Sequence, residues 1–201
     1  MIKIIACSIF KPYIELLDMN LDIVYLEIEG HNYPKKLAKQ IQAEIDKCQD
    51  YKKIILLYGL CGNALLNITA RNVPVYVVRV HDCLSILLGS TKRFYEIFQE
   101  RLSCGWSCYS LENVKISFDK FDKEEQLYLE SILNLKKDVY VSFSMKKEIL
   151  YEKQYNEIIK GDLSFLKSII LLESEELLEI NSYDQLRFDE NKILIKEKRN
   201  G

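Results

Sequence analysis

Four short, almost wholly apolar runs punctuate the first eighty residues: Ile2 to Cys7, Ile23 to Ile28, Lys53 to Tyr58 and Pro74 to Val80. They lack the strict apolar–polar alternation of a half-exposed strand. Runs of this length and composition suit parallel strands covered on both faces. Helical spacing appears between them. Leu37, Ile41, Ile45 and Cys48 recur at intervals of 4, 4 and 3, one apolar face of a helix that Pro34 opens from its first turn. Pro12 to Met19 predicts a short helix or turn, and a short helix is expected after Gly59-Leu60-Cys61-Gly62-Asn63, reaching about Asn72. An apolar run from Leu84 to Leu88 then leads through Gly89-Ser90 to a helix over Thr91 to Leu102.

The second half is less regular. Asp122 and Glu125 have capping-box spacing for a helix to about Lys136. Val139 to Phe143 reads as a strand, Asp162 as the N-cap of a helix to about Leu172, and Leu177 to Lys196 as a terminal hairpin. Alternating strands and helices argue an α/β fold, Rossmann-like, with a mainly parallel sheet, helices on both faces and an irregular C-terminal part. The chain reads as one domain over 1–201, with a subdivision near 110 into a cysteine-bearing half, 1–110, and a smaller half, 111–201.

Charge narrows the function classes. A net charge of −2 and a pI of about 5.8, with no basic stripe, give no reason to expect nucleic acid. No apolar run approaches the roughly 20 residues that span a bilayer. The first residues form a strand-like run without the regions of a signal peptide. The expectation is a cytoplasmic protein with no membrane partner. In that reducing compartment its six cysteines serve metals or catalysis more readily than disulfides.

Three of those cysteines close strand-like runs: Cys7, Cys61 and Cys83. In an open parallel sheet the carboxyl ends of the strands line the ligand crevice, so these thiols are expected to converge. Gly59 and Gly62 flank Cys61, and with Asn63 they predict a tight turn where backbone approaches a ligand or cofactor. A thiol at the start of a helix is biased toward thiolate. His81 stands two residues before Cys83 and is a candidate ligand or general base, and His31, after the second strand, a candidate fourth ligand. Each also has a bland reading: Cys7 as a core residue, Cys61 as a structural turn cysteine, and the histidines as ordinary hydrogen-bonded residues. Cys48 completes a helix stripe. Cys104 and Cys108, in Cys-Gly-Trp-Ser-Cys, match no complete metal motif. Nucleotide-binding and serine-hydrolase motifs are absent.

Ile5-Ala6-Cys7, His31-Asn32-Tyr33-Pro34, Tyr58-Gly59-Leu60-Cys61-Gly62, the stretch from His81 through Ser90 and Gly161-Asp162-Leu163-Ser164-Phe165-Leu166 give the chain a further character. It resembles the family called domain of unknown function 1638. The resemblance implies a cytosolic prokaryotic α/β protein with cysteine-bearing strand ends, associated with corrinoid methyltransferase systems. The chain departs from the family at Ser103-Cys104-Gly105-Trp106, where Thr-Pro-Gly-Trp is usual, and in a shortened segment before Gly161.

Two chemistries compete. One is a metal site, zinc or an iron–sulfur cluster, on Cys7, Cys61 and Cys83 with His31 or an exchangeable molecule completing it. The other is a metal-free cysteine enzyme with Cys61 and Cys83 as acid and base and His81 beside them. Its turn is similar to that of cofactor-independent amino-acid racemases, although the Asn-Thr expected after the cysteine is missing. A small-molecule binding module without catalysis is the third reading. The substrate and the oligomeric state are not readable.

Overall fold

The four apolar runs become four parallel strands: β1 (Ile2–Cys7), β2 (Asp22–Leu26), β3 (Lys53–Leu57) and β4 (Val75–Val78). They lie in the order β2-β1-β3-β4. This computed structural model describes residues 1–60, 63–98, 105–113, 122–133, 137–190 and 194–198. The inner strands lack alternation because both of their faces are covered. Ile4, Ile5 and Ile54 through Leu57 are each at most 1% exposed, and each such side chain contributes about 1.5–3 kcal/mol on burial. The helix α1 (Lys11–Glu15) follows β1, and α2 (Pro34–Lys47) buries Leu37, Ala38, Ile41 and Ile45, the face that the spacing predicts.

After β4 come α3 (Cys83–Leu88), with all six of its residues buried, and α4 (Thr91–Phe98). The second half builds a separate parallel sheet in the order β5-β6-β7 from β5 (Gly105–Cys108), β6 (Lys137–Ser142) and β7 (Glu157–Lys160). Between these strands lie α5 (Tyr109–Glu112), α6 (Lys123–Leu133) and α7 (Ile149–Glu152), and after them α8 (Leu163–Ile170). The capping box at α6 is formed in both directions: Glu125 N–H donates to Asp122 at 2.9 Å and Asp122 N–H to Glu125 at 3.1 Å. Asp162 caps α8 through Ser164 N–H at 2.8 Å.

Two expectations are corrected. Leu177–Ile180 is not an arm of a terminal hairpin. It forms β8, which pairs antiparallel with β4 and completes the first sheet, and the hairpin is β9 (Asp184–Phe188) with β10 (Leu194–Lys198). The helix expected up to Asn72 is only a 3-10 turn, Ala64–Asn67. Asn63 enters that turn left-handed at φ 72°, and Ile68 leaves it already extended. β7 and the Gly-Trp-Ser-Cys strand β5 were not expected from sequence. Of the helix expected over Thr91 to Leu102, the part beyond Phe98 lies outside the described residues.

The carboxyl ends of the two parallel sheets meet. Behind β1, Ile9 accepts a hydrogen bond from the Ser110 hydroxyl behind β5 at 2.5 Å, and Tyr13 packs on Phe143 behind β6 at 4.3 Å between ring centroids. Behind β7, Asp162 N–H donates to Leu87 of α3 at 2.9 Å, and Arg93 of α4 bridges Leu88 and Lys160 at 3.0 and 2.7 Å. Among the described residues no helix is long and apolar enough to cross a membrane.

Candidate thiol site

Cys7 ends β1, whereas Cys83, expected to close a strand, lies beyond the end of β4 at Val78 and opens α3, because the Asp82 cap starts a helix there. Their thiols come near enough to bear on each other's ionisation across 76 residues of chain, and they are only 4% and 9% exposed. The neighbouring Cys83 is the leading cause that raises the Cys7 pKa well above its ordinary value. Burial adds to the rise, and a backbone hydrogen bond at Ile9 opposes it. Cys7 is therefore held toward its neutral thiol.

Cys108, at the end of β5, lies close enough to add a smaller repulsion to the Cys7 thiolate. Burial, its leading cause, pushes the Cys108 pKa up to about 11, against a lowering hydrogen bond with Tyr13. The second sheet thus brings a thiol to the same buried region. Sequence reasoning passed over Cys108 because it was weighed as a partner of Cys104, which lies outside the described residues.

Cys83 is aimed by its neighbours. Leu60 N–H donates to the His81 carbonyl at 3.2 Å, tying the exit of β3 to the exit of β4. A Cβ on Gly59 would stand 2.2 Å from the Asp82 backbone, so close approach of protein backbone already accounts for this glycine. The Asp82 carboxylate accepts from Ser85 N–H at 2.8 Å and from its hydroxyl at 3.0 Å, capping α3. Cys83 follows directly at the first helical position.

His81 sits elsewhere. Its ring stacks on Phe94 of α4 at 5.4 Å, meets Tyr95 edge-on at 6.5 Å, and has Nδ1 3.3 Å from Asp82 Oδ2. The hydrogen bond with Asp82 raises its pKa, burial working against it. An Asp-oriented imidazole on an aromatic platform results. His31 is exposed in the turn Ile28–Asn32 after β2. Asn63 is exposed and borders a groove shared with the start of α2. Cys61 and Gly62 lie outside the described residues.

Two adjacent thiols are a soft donor pair, suited to zinc or to an iron–sulfur cluster. Among the described residues no group of three or more Cys, His, Asp or Glu side chains is placed to hold a metal ion. The described donors fit a metal as two of its ligands and no further.

A buried carboxylate also escaped the sequence reading. Glu148, fully buried, accepts from Met145 N–H at 2.8 Å and Phe143 N–H at 3.0 Å, and lies 3.4 Å from the hydroxyls of Tyr140 and Ser142. Burial raises its pKa. It ties down the loop that carries Phe143 to Tyr13, beside the thiols.

A family model described as "Protein of unknown function (DUF1638)" matches residues 25–185. No curated protein and no solved structure matches the chain.

Proposed function

The chain belongs to the DUF1638 family, which assigns it no reaction, and we propose that it is a soft-metal or iron–sulfur protein acting at the carboxyl ends of its parallel strands. The placing of the buried Cys7 and Cys83 thiols near each other, at the end of β1 and the start of α3, carries this reading. Two thiols from separate crossovers, brought together in an apolar interior, are costly to ionise alone. They become good ligands when a cation replaces their protons. Cys61 is assigned the third position on its place in the sequence, and an exchangeable molecule the fourth. His31, exposed in its turn, is the weaker candidate for that position. When bound, such a metal supplies Lewis-acid activation of a thiol or methyl donor, or electron transfer if it is a cluster. The protein supplies the buried dithiol, the Asp82 cap that places Cys83, and exclusion of water around both sulfurs.

Several finer expectations belong to this reading: a Rossmann-like arrangement with helices on both faces of the sheet, a cytoplasmic setting in a prokaryote, and service to a corrinoid methyltransferase system. A metal-free dithiol is the second reading. The nearness of the two thiols favours it, because one of them, once deprotonated, would stand as a base beside the other as an acid.

Metal and acid-labile sulfide analysis on protein purified without oxygen tests the proposal. Zinc or iron is expected in the wild type and in Cys48→Ser, and is lost in Cys7→Ser and Cys83→Ser. Metal-free wild type, or full retention in both site variants, overturns the metal reading. The dithiol reading then stands or falls on whether Cys83 labels faster in Cys7→Ser.

A further inference from the structure

The strand order β2-β1-β3-β4 sets a topological switch between β1 and β3, since the chain leaves β1 toward β2 and β3 toward β4. In open parallel sheets ligands bind outside the carboxyl ends at such a switch. The segment after β2, with the start of α2, and the turn after β3 here wall a groove of 550 Å³, within the range of small-molecule sites.

The chemistry of its wall is one-sided. Asn32, Asn63 and Asn67 bring carboxamides, Lys35 and Lys36 ammonium groups, and among the described residues the lining contains no carboxylate. Lys36 is neutralised, lying 2.5 Å from the Glu125 carboxylate and over the Tyr33 ring at 4.8 Å. Lys35 has no ion-pair partner among the described residues, and the three carboxamides make no side-chain hydrogen bond there. Among the described residues, a cation without an ion-pair partner and three unspent amide groups therefore line one cavity, while the neighbouring Glu125 carboxylate is engaged by Lys36. Each carboxamide offers two N–H donors and the ammonium three, the complement of an oxyanion rich in lone pairs.

We propose that this groove binds the oxyanion head, carboxylate or phosphate, of a small metabolite through Lys35 and the Asn32, Asn63 and Asn67 carboxamides. Among the described residues the groove is lined by no thiol, and its readout is oxyanion binding, so the proposal is tested separately from metal content. Asn63 offers a clean deletion. At φ 72° glycine takes its backbone conformation without strain, so Asn63→Gly removes the carboxamide and leaves the turn.

The experiment is an amide NMR titration of the ¹⁵N-labelled full chain with sodium phosphate, sodium acetate and sodium chloride at constant ionic strength. Saturable shifts at the Lys35, Asn63 and Asn67 amides are expected from an oxyanion and not from chloride. Phosphate alone identifies a phosphoryl head, and acetate alone a carboxylate. Lys35→Gln and Asn63→Gly each weaken binding about tenfold, the scale of one charge-assisted hydrogen bond, while the rest of the spectrum is unchanged. Absence of saturable shifts from both oxyanions, or unchanged affinity in both variants, overturns the proposal.

Discussion

Replacing Gly59 with alanine strikes the joint on which Cys83 is positioned. The new Cβ would stand 2.2 Å from the Cα and carbonyl carbon of Asp82, about 1.2 Å short of ordinary contact at 3.4 Å. The obstacle is backbone, so no rotamer change relieves it. Overpacking of this kind costs about 1–3 kcal/mol. Moving Asp82 also weakens the α3 cap, whose loss costs about 1 kcal/mol more. About 3 kcal/mol in total, divided by an unfolding entropy of roughly 2.1 cal/mol/K per residue, lowers Tm by about 7 °C for a chain of 201 residues. Thermal melts read that loss. Reaction of Cys83 with an aromatic disulfide reads the second consequence, since a displaced Asp82 carries Cys83 away from Cys7 and exposes it. A variant that melts within about 2 °C of wild type, with unchanged thiol kinetics, refutes the argument that the β3 and β4 exits are locked together there.

Gly161→Ala is expected to cost less, about 1 kcal/mol, because its Cβ meets the far edge of the Phe143 ring at 2.2 Å and a side chain yields where backbone does not; a Tm loss equal to that of Gly59→Ala contradicts this. Glu148→Ala strands the Phe143 and Met145 N–H groups and should lose about 2–4 kcal/mol in urea unfolding, whereas Glu148→Gln keeps an acceptor and loses less. The folded Glu148 pKa is raised, so wild-type stability falls as pH climbs from its ordinary 4.5 through the folded value. Glu148→Gln should flatten that slope, and an identical pH profile counts against a strained buried carboxylate. Asp82→Ala should cost about 1 kcal/mol through the α3 cap and return the His81 pKa toward its ordinary 6.5, read by NMR titration. A His81 pKa raised in the fold lends stability below 6.5 and loses it as pH rises through the folded value. The variant should therefore be penalised more at pH 5.5 than at pH 8.5.

Local pattern carried much of the architecture. The β1 to β4 runs, the apolar face of α2, the Asp122–Glu125 capping box and the Asp162 cap are readable because each is determined by residues within one or two turns of one another. β5 was invisible for the opposite reason: Gly105, Ser107 and Cys108 have little strand preference, and only pairing with β6 holds them extended. The same holds for Leu177–Ile180, whose alternation fits a hairpin as well as an edge strand. Its partner, β4, lies about a hundred residues upstream, and short-range pattern contains no information about it.

The candidate site divides along the same line. That Cys7 stands at the end of a strand follows from the sequence, because an apolar run broken by turn residues marks its own end, whereas Cys83, expected to close a strand, opens a helix instead. That the Cys7 and Cys83 thiols come near each other, that Cys108 joins their region from a second sheet, and that His81 turns instead to Phe94 and Tyr95 were decided by tertiary structure. Side-chain direction at a strand exit depends on what packs against it. Here that is the Asp82 backbone pressed onto Gly59 and a second sheet facing the first, neither of which is a property of any local stretch of chain.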